Sequence, residues 1–233
     1  MRAAVRTQSL DVSTSSAATI QSGAFLARLD PGKMANRALR APRYSARGRR
    51  PEEPDGAEFQ IGRIDMVANT GTYVDCPFHR FAHGKDLSEV ALERFADLPA
   101  VVVRASYERQ LAIDIAAFES VDVAGKAVLV HTGWSKHWNT QAYYENHPFL
   151  TREAALYLRE HGAMLVGIDS HNIDDTRARN NRPVHTELLG HDILIAEHLR
   201  GLEQLPDGKF LFSAIPPKIK GMGTFPVRAF AKV

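Results

Sequence analysis

The stretch T-R-E-A-A-L-Y-L-R-E-H-G-A-M-L-V-G-I-D-S, residues 151–170, decides the fold class. Thr151 is a favourable N-cap, and Glu153 places negative charge in the first turn, where the helix dipole favours it. An apolar helix face follows, and Gly162 ends the pattern just before the apolar run 163–170. The sequence therefore predicts a helix that leads directly into a buried strand, as in an α/β domain.

Similar signals occur on both sides of this unit. The β-branched runs 99–107 and 126–134 predict two further buried strands. Residues 183–189 predict a short helix, since proline is tolerated in a first turn, and 192–197 predict the strand after it. The tail, residues 209–231, predicts two strands separated by a proline- and glycine-rich turn.

Composition is that of an ordinary globular protein. The chain has 233 residues, of which 44% are hydrophobic and 24% charged, so we expect one domain over residues 1–233. The only cysteine, Cys76, excludes an intrachain disulfide and a cysteine-built zinc finger. A net charge of +2 is too small to indicate a nucleic-acid partner.

The N-terminal region carries no targeting signal that we recognise. It lacks the continuous apolar stretch of a secretory signal, and no segment has the ~18 apolar residues that predict a membrane span. We therefore expect a cytoplasmic protein without a membrane partner. Residues 31–57 predict a long arginine-rich loop, which is either solvated or forms a patch for an anionic substrate or a partner subunit.

The segment N-T-G-T-Y-V-D-C-P-F-H, residues 69–79, carries the most chemical information. Four of its side chains can bind a metal or move a proton: Asn69, Tyr73, Asp75 and His79. If the segment is extended, Tyr73 and Asp75 face one side, while Cys76 faces the other as a small buried hydrophobe. Taken alone, Asp75 and His79 could equally be hydrogen-bonded turn residues.

Two residues further along the chain favour a metal site. His185 lies on the predicted short helix, and Glu197 ends the predicted strand that follows it. A buried glutamate must be paired, protonated or bound to a cation. With Asp75, these side chains offer nitrogen and oxygen ligands suited to Zn²⁺ or Mn²⁺.

In combination these motifs resemble the metal-dependent cyclase superfamily, which includes kynurenine formamidase-like arylformamidases and isatin hydrolases. That superfamily carries H-x-G-T-H-x-D-x-P-x-H, followed much later by a histidine and by a glutamate or glutamine. The matching stretches here are 69–79, 131–134, 166–170, 183–185, 197–199 and 223–231. The resemblance runs from about residue 60 to the C-terminus, whereas the region before it matches poorly.

The resemblance implies a swivelling β/β/α fold, a mixed sheet with flanking helices, and a homodimer or homotetramer. It also implies a small-molecule amide or lactam substrate, whose carbonyl is attacked by a metal-activated water. Asp75, His185 and Glu197 match the family's metal ligands in this reading. His79 matches the histidine that moves protons.

Asn69 and Tyr73 depart from the family, which has histidine at both positions. An amide oxygen is a poor ligand for Zn²⁺, and a phenol must first lose its proton. Three outcomes stay open: one Zn²⁺ or Mn²⁺ ion without these two residues, a harder metal with Tyr73 as phenolate, or a protein that binds a small molecule without hydrolysing it. A weaker hypothesis is metal-free acid–base catalysis by Asp75 and His79.

Four more residues are candidates for the substrate pocket: His83, Trp134, Asp169 and His171. Asp169 and His171 follow a predicted strand, and strand ends are where α/β folds place ligand sites. The competing interpretations are a loop histidine for His83, a core aromatic for Trp134, and a hydrogen-bonded turn for the other two. No serine-hydrolase elbow, P-loop or dinucleotide-binding fingerprint is present.

Overall fold

The structure, a computed structural model, describes residues 64–178 and 181–233. The described residues of the range 71–233 belong to one compact unit, and residues 64–70 belong to another. The arginine-rich stretch 31–57 lies outside the described residues.

Ten strands and two α-helices are present in the described residues of the range 71–233. The strands are β1 (Tyr73–Asp75), β2 (Leu98–Arg104), β3 (Ala112–Ile113), β4 (Ala127–His131), β5 (Phe149–Leu150), β6 (Leu165–Ile168), β7 (Leu194–Glu197), β8 (Gly208–Ser213), β9 (Thr224–Pro226) and β10 (Phe230–Lys232). The helices are α1 (Arg152–Glu160) and α2 (Pro183–Leu189). Six short 3-10 turns connect them: Pro77–His79, Leu92–Arg94, Ile115–Ala117, Trp134–His137, Gln141–Tyr144 and Leu202–Gln204.

Eight of the strands form one mixed sheet in the order β10-β8-β2-β4-β6-β7-β1-β9. The centre, β2-β4-β6-β7, is parallel, and the strands on either side of it run antiparallel to their neighbours. Strands β3 and β5 form a separate parallel pair. Parallel strands are buried on both faces, which explains the continuous apolar runs in β4 and β6.

The two faces of the sheet contact two different hydrophobic cores. Val128 and Val130 of β4 face the core that α1 and α2 cover, whereas Leu129 faces the other. This second core joins Val74 of β1 to Phe212 of β8, although the two strands lie near opposite ends of the sheet order. The sheet must therefore curl around that core. Strand β1 pairs with β7 on one side and with β9 on the other.

Most elements expected from the sequence are present. The strands expected at 99–107, 126–134, 163–170 and 192–197 correspond to β2, β4, β6 and β7. Thr151 caps α1 by accepting a hydrogen bond from the Ala154 amide at 3.1 Å. The mixed α/β fold with flanking helices is confirmed.

The prediction of two strands in the tail is wrong, because the tail forms three. Residues 224–232 match the second expected strand, yet they supply both β9, which ends at Pro226, and β10. Strand β9 pairs with β1, while β10 pairs with β8 at the opposite edge of the sheet. One apolar run therefore serves two edges of a curled sheet, a feature that local sequence pattern does not encode.

In the part of the chain described by the structure, every helix is too short or too polar to traverse a lipid bilayer.

Gly167 in β6 lies against two leucine side chains of the core that contains Leu129. A Cβ atom there would lie 2.6 Å from Leu199 Cδ1 and 2.9 Å from Leu129 Cδ2, and both leucines are fully buried. We expect Gly167→Ala to lower the free energy of unfolding by about 1–3 kcal/mol, the usual effect of overpacking. Urea denaturation measures this change.

Gly208→Ala in β8 is the matched control, because a Cβ atom there meets nothing within 4 Å. A loss of stability in the control as large as in Gly167→Ala would show that overpacking is not the cause.

Candidate active site

Strand pairing places β1, which carries part of the 69–79 motif, next to Glu197 and Thr224. Tyr73 lies opposite Glu197 in the β1–β7 pair, and Asp75 lies opposite Thr224 in the β1–β9 pair. Tyr73, Asp75 and Glu197 are all buried. As predicted, Tyr73 and Asp75 face one side of β1, and Val74 packs in the hydrophobic core on the other side.

His185 enters the site from α2 and is held by a second carboxylate, Asp174. The His185 Nδ1 atom lies 2.6 Å from Asp174 Oδ2. Asp174 also accepts hydrogen bonds from the backbone amides of Val184 and His185 at 2.7 and 3.1 Å. One buried carboxylate therefore caps the start of α2 and orients the imidazole, so that Nε2 faces the site.

The Nε2 atom of His185 faces two carboxylates at once. It lies 3.7 Å from Asp75 Oδ2 and 3.9 Å from Glu197 Oε1. Ligand atoms of Asp75, His79 and His185 all lie within 4.8 Å of one another. The four residues expected to meet from the sequence therefore meet around one small region.

Asp75 has one oxygen engaged and one without a hydrogen bond. The Thr224 hydroxyl donates to Oδ1, and the same hydroxyl oxygen lies 2.7 Å from His79 Nδ1. Oδ2 is buried and has no hydrogen-bond partner among the described residues. A buried carboxylate oxygen in this state is costly unless a cation compensates it.

Glu197 is held from several directions. The Ile173 amide donates to Oε1 at 2.7 Å, while the Tyr73 hydroxyl donates to Oε2, where the Asn172 amide nitrogen also lies at 3.4 Å. Burial and the nearby Asp75 charge raise the pKa of Glu197 to about 7, although His185 opposes the shift.

The charge of His185 is set by its carboxylate neighbours. Burial lowers the pKa of His185, but the hydrogen bond to Asp174 and the nearby carboxylates of Asp75 and Glu197 outweigh burial and raise the pKa to about 10. The site therefore attracts positive charge, whether as a proton on this ring or as a cation next to it.

The chain turns sharply after Glu197, and His198 adopts a left-handed backbone conformation with φ of 57°. Its carbonyl accepts a hydrogen bond from the Thr72 hydroxyl at 2.7 Å, and its Nδ1 atom lies 2.9 Å from the Tyr143 hydroxyl. The Tyr73 ring lies 5.2 Å from its ring centroid. These contacts hold a backbone conformation that costs a non-glycine residue of order 1–3 kcal/mol.

The pocket candidates differ in exposure and in their partners. His83 is exposed in a turn, as the loop interpretation expected. Trp134 is buried, and its indole nitrogen donates to the Tyr143 carbonyl at 3.0 Å. Asp169 is buried and accepts from the backbone amides of Thr132 and Gly133 at 2.8 and 2.9 Å, so its carboxylate ties the end of β4 to the end of β6.

His171 lies in an aromatic cluster beside the site. Its ring centroid is 5.1 Å from those of Tyr144 and His147 and 5.7 Å from that of His198. Burial, with His147 and Arg182 nearby, lowers the pKa of His171 to about 3, so the ring is neutral near pH 7.

Cys76 has the properties of a core residue. It is fully buried, and burial is the main cause that raises the pKa of its thiol to about 12. A thiol with so high a pKa is a poor nucleophile at neutral pH, in agreement with the interpretation as a small hydrophobe.

Sequence reasoning missed two residues that hold the site together, Asp174 and Thr224. Asp174 lies in a run of charged residues that is typical of a solvated loop, but its side chain is buried. It lies ten residues before Val184, which is too far along the chain for a local capping motif to reveal its role. Thr224 is separated from Asp75 by 149 residues, and only the β1–β9 register brings them together.

Asn69 is exposed in a bend that belongs to the separate unit containing residues 64–70.

Comparisons with known proteins define the class to which this fold and site belong. The cyclase family, described as "Putative cyclase", matches residues 10–175, so the chain belongs to the cyclase family. A kynurenine formamidase from Geobacillus thermodenitrificans is 30% identical over 177 residues, which cover 75% of this chain and 81% of the relative.

Two solved structures support the same relationship. One, described as a potential metal-dependent hydrolase with cyclase activity, is 27% identical with a TM-score of 0.64, and the match covers 73% of this chain and 81% of that one. The other, isatin hydrolase A from Ralstonia solanacearum, is 25% identical with a TM-score of 0.70, and the match covers 82% and 81% of the two chains. The large curled mixed sheet is therefore the fold of the cyclase family.

Asp174→Ala tests the support of His185. It removes three buried hydrogen bonds and leaves the imidazole without its partner, so we expect the free energy of unfolding to fall by about 3–5 kcal/mol. Urea denaturation followed by circular dichroism gives the value.

The matched control is Asp114→Ala, which removes an exposed cap from the 3-10 turn Ile115–Ala117. If both variants lose the same stability, the bond between Asp174 and His185 adds nothing beyond helix capping.

Proposed function

We propose that this chain is a metal-dependent hydrolase that cleaves the C–N bond of an aryl formamide, a cyclic amide or a lactam. The observation that carries the proposal is that the carboxylates of Asp75 and Glu197 both face Nε2 of His185. In addition, one buried oxygen of Asp75 lacks a hydrogen bond. The likeness to a kynurenine formamidase and to an isatin hydrolase supports this substrate class.

The residues present fit a divalent ion. Two carboxylates and an imidazole form a ligand set that suits Zn²⁺ or Mn²⁺. In a tetrahedral zinc site with bonds of ~2.0–2.1 Å, donor atoms lie roughly 3.3–3.5 Å apart. The separations of 3.7 and 3.9 Å from His185 Nε2 to the two carboxylates need only a small contraction to match.

Asp75, His185 and Glu197 would hold one ion, which when bound lowers the pKa of water and polarises the substrate carbonyl. His185 can serve as a ligand only through Nε2, because Asp174 engages Nδ1. The His79 side chain is 32% exposed, so it can exchange protons with a substrate and with solvent. We assign to His79 the transfer of a proton from water to the leaving nitrogen.

Tyr73 acts as a support for Glu197 in this proposal, rather than as a phenolate ligand. Its hydroxyl donates a hydrogen bond to Glu197 Oε2, and a carboxylate can only accept such a bond. The phenol must therefore keep its proton while Glu197 is ionised. This arrangement favours one ion over two.

A homodimer or homotetramer, a cytoplasmic location and a small-molecule partner stay predictions from the sequence and the family resemblance. The single domain over residues 1–233 is likewise part of the proposal. A role in a substrate pocket likewise stays a prediction for four residues: His83, Trp134, Asp169 and His171.

The proposal predicts about one equivalent of Zn²⁺ or Mn²⁺ per chain in protein purified without chelator, measured by elemental analysis. We expect this protein to hydrolyse an aryl formamide or an isatin-type lactam. His185→Ala should lose both metal and activity, because it removes the imidazole that faces both carboxylates. His79→Gln should keep the metal and lose roughly 10²–10⁴-fold in kcat, the usual contribution of a general acid–base group.

His83→Gln is the matched control, since His83 is exposed in a turn four residues after His79. Protein that binds no metal and hydrolyses neither substrate would support the competing function, a family member that binds a small molecule without cleaving it. Activity that survives complete removal of metal by a chelator would point to metal-free catalysis by Asp75 and His79.

The variant Tyr73→His tests whether the altered motif limits the metal content. It restores one of the family's histidines, opposite Glu197 in the β1–β7 pair. We expect the metal content to rise, as measured by elemental analysis. Tyr73→Phe serves as the control, since it removes the hydroxyl without adding a ligand, and an equal rise in this variant would contradict the expectation.

A further inference from the structure

Thr224 joins two residues that the proposed reaction needs. Its hydroxyl donates to Asp75 Oδ1, and its oxygen lies 2.7 Å from His79 Nδ1. The direct separation between His79 Nδ1 and Asp75 Oδ1 is 3.7 Å, too long for a hydrogen bond. The hydroxyl therefore links the two side chains, and it is itself buried.

The direction of each bond follows from counting protons. A threonine hydroxyl has one proton to donate and two lone pairs that accept. Asp75 can only accept when it is ionised, as a metal ligand must be. The hydroxyl proton is therefore used toward Asp75, and the proton between Thr224 and His79 must come from His79 Nδ1.

The backbone leaves Thr224 little freedom to move away from this position. Thr224 pairs directly with Asp75 in the β1–β9 register, and the preceding carbonyl of Gly223 accepts from the Cys76 amide at 2.8 Å. A Cβ atom at Gly223 would lie 2.3 Å from the His79 backbone nitrogen. Only glycine permits this close approach of β9 to the 3-10 turn that carries His79.

We propose that Thr224 is a positioning residue that fixes His79 in the tautomer with the proton on Nδ1. The other ring nitrogen, Nε2, then carries the lone pair that accepts a proton during the reaction. The same arrangement excludes His79 Nδ1 as a metal ligand, since a protonated nitrogen has no lone pair in the ring plane. The proposal rests on the proposed function for its catalytic meaning, but the tautomer itself can be measured without any substrate.

The direct test is the tautomer of His79 in full-length protein labelled with ¹⁵N-histidine and supplied with Zn²⁺. Spectra that correlate the ring nitrogens with the ring carbon-bound protons, recorded at alkaline pH, distinguish a protonated from a bare nitrogen. Comparison with His79→Gln assigns the signals. We expect a protonated Nδ1 and a bare Nε2.

Two substitutions of Thr224 separate the hydroxyl from the side-chain volume. Thr224→Ser keeps the bridge and should keep the tautomer and the activity. Thr224→Val has nearly the same shape but no hydroxyl, so we expect a mixture of tautomers, an unchanged zinc content and a loss of roughly 10–100-fold in kcat/KM. Thr132→Val, which removes a buried hydroxyl bound to Asp169, is the control and should leave the His79 tautomer unchanged.

A bare Nδ1 in the unsubstituted protein, or an unchanged tautomer in Thr224→Val, overturns the inference. Loss of zinc from Thr224→Val with the tautomer unaltered also overturns it, because Thr224 would then act on Asp75 alone. If the protein hydrolyses no amide but shows the expected tautomer and its dependence on Thr224, the proposed function fails while the positioning role stands.

Discussion

The burial of the Asp75 carboxylate is the constraint on which the arrangement of the site depends. A carboxylate removed from water is unfavourable by several kcal/mol unless hydrogen bonds or positive charge compensate it. Here one oxygen receives the Thr224 hydroxyl, and the other faces His185 Nε2 at 3.7 Å. The three elements that supply these residues, β1, β9 and α2, therefore meet at one buried charge.

A second layer of contacts keeps this arrangement specific. Asp174 lies behind His185, and Tyr73 and the Ile173 amide hold Glu197. Such outer contacts fix the orientation and ionisation of the groups that face a metal or a substrate. In this chain these outer residues come from β1 and from the loop that leads to α2. The residues that support the site therefore also belong to the sheet and to the start of the helix.

How well each feature could be predicted from the sequence depends on how far apart along the chain the interacting residues lie. The parallel strands and α1 were predictable, because apolar runs and the Thr151 cap are local signals. The proximity of Asp75, His185 and Glu197 was also predictable, since the family motif and a glutamate at the end of an apolar run can be read from the chain. Thr224 was not found, because its role depends on the register of a strand 149 residues away. The separate strands β9 and β10 were missed for a similar reason, since their partners lie at opposite edges of the curled sheet.

The left-handed residue after β7 sets backbone strain against side-chain packing at one position. Glycine at position 198 would relax the backbone, whose φ is 57°, but would remove a buried ring that contacts Tyr73 and Tyr143. The void left by that ring would offset the relaxed backbone and would let the neighbouring carboxylate sample orientations that the present chain forbids. The strain at this corner therefore accompanies the packing that fixes the direction of Glu197.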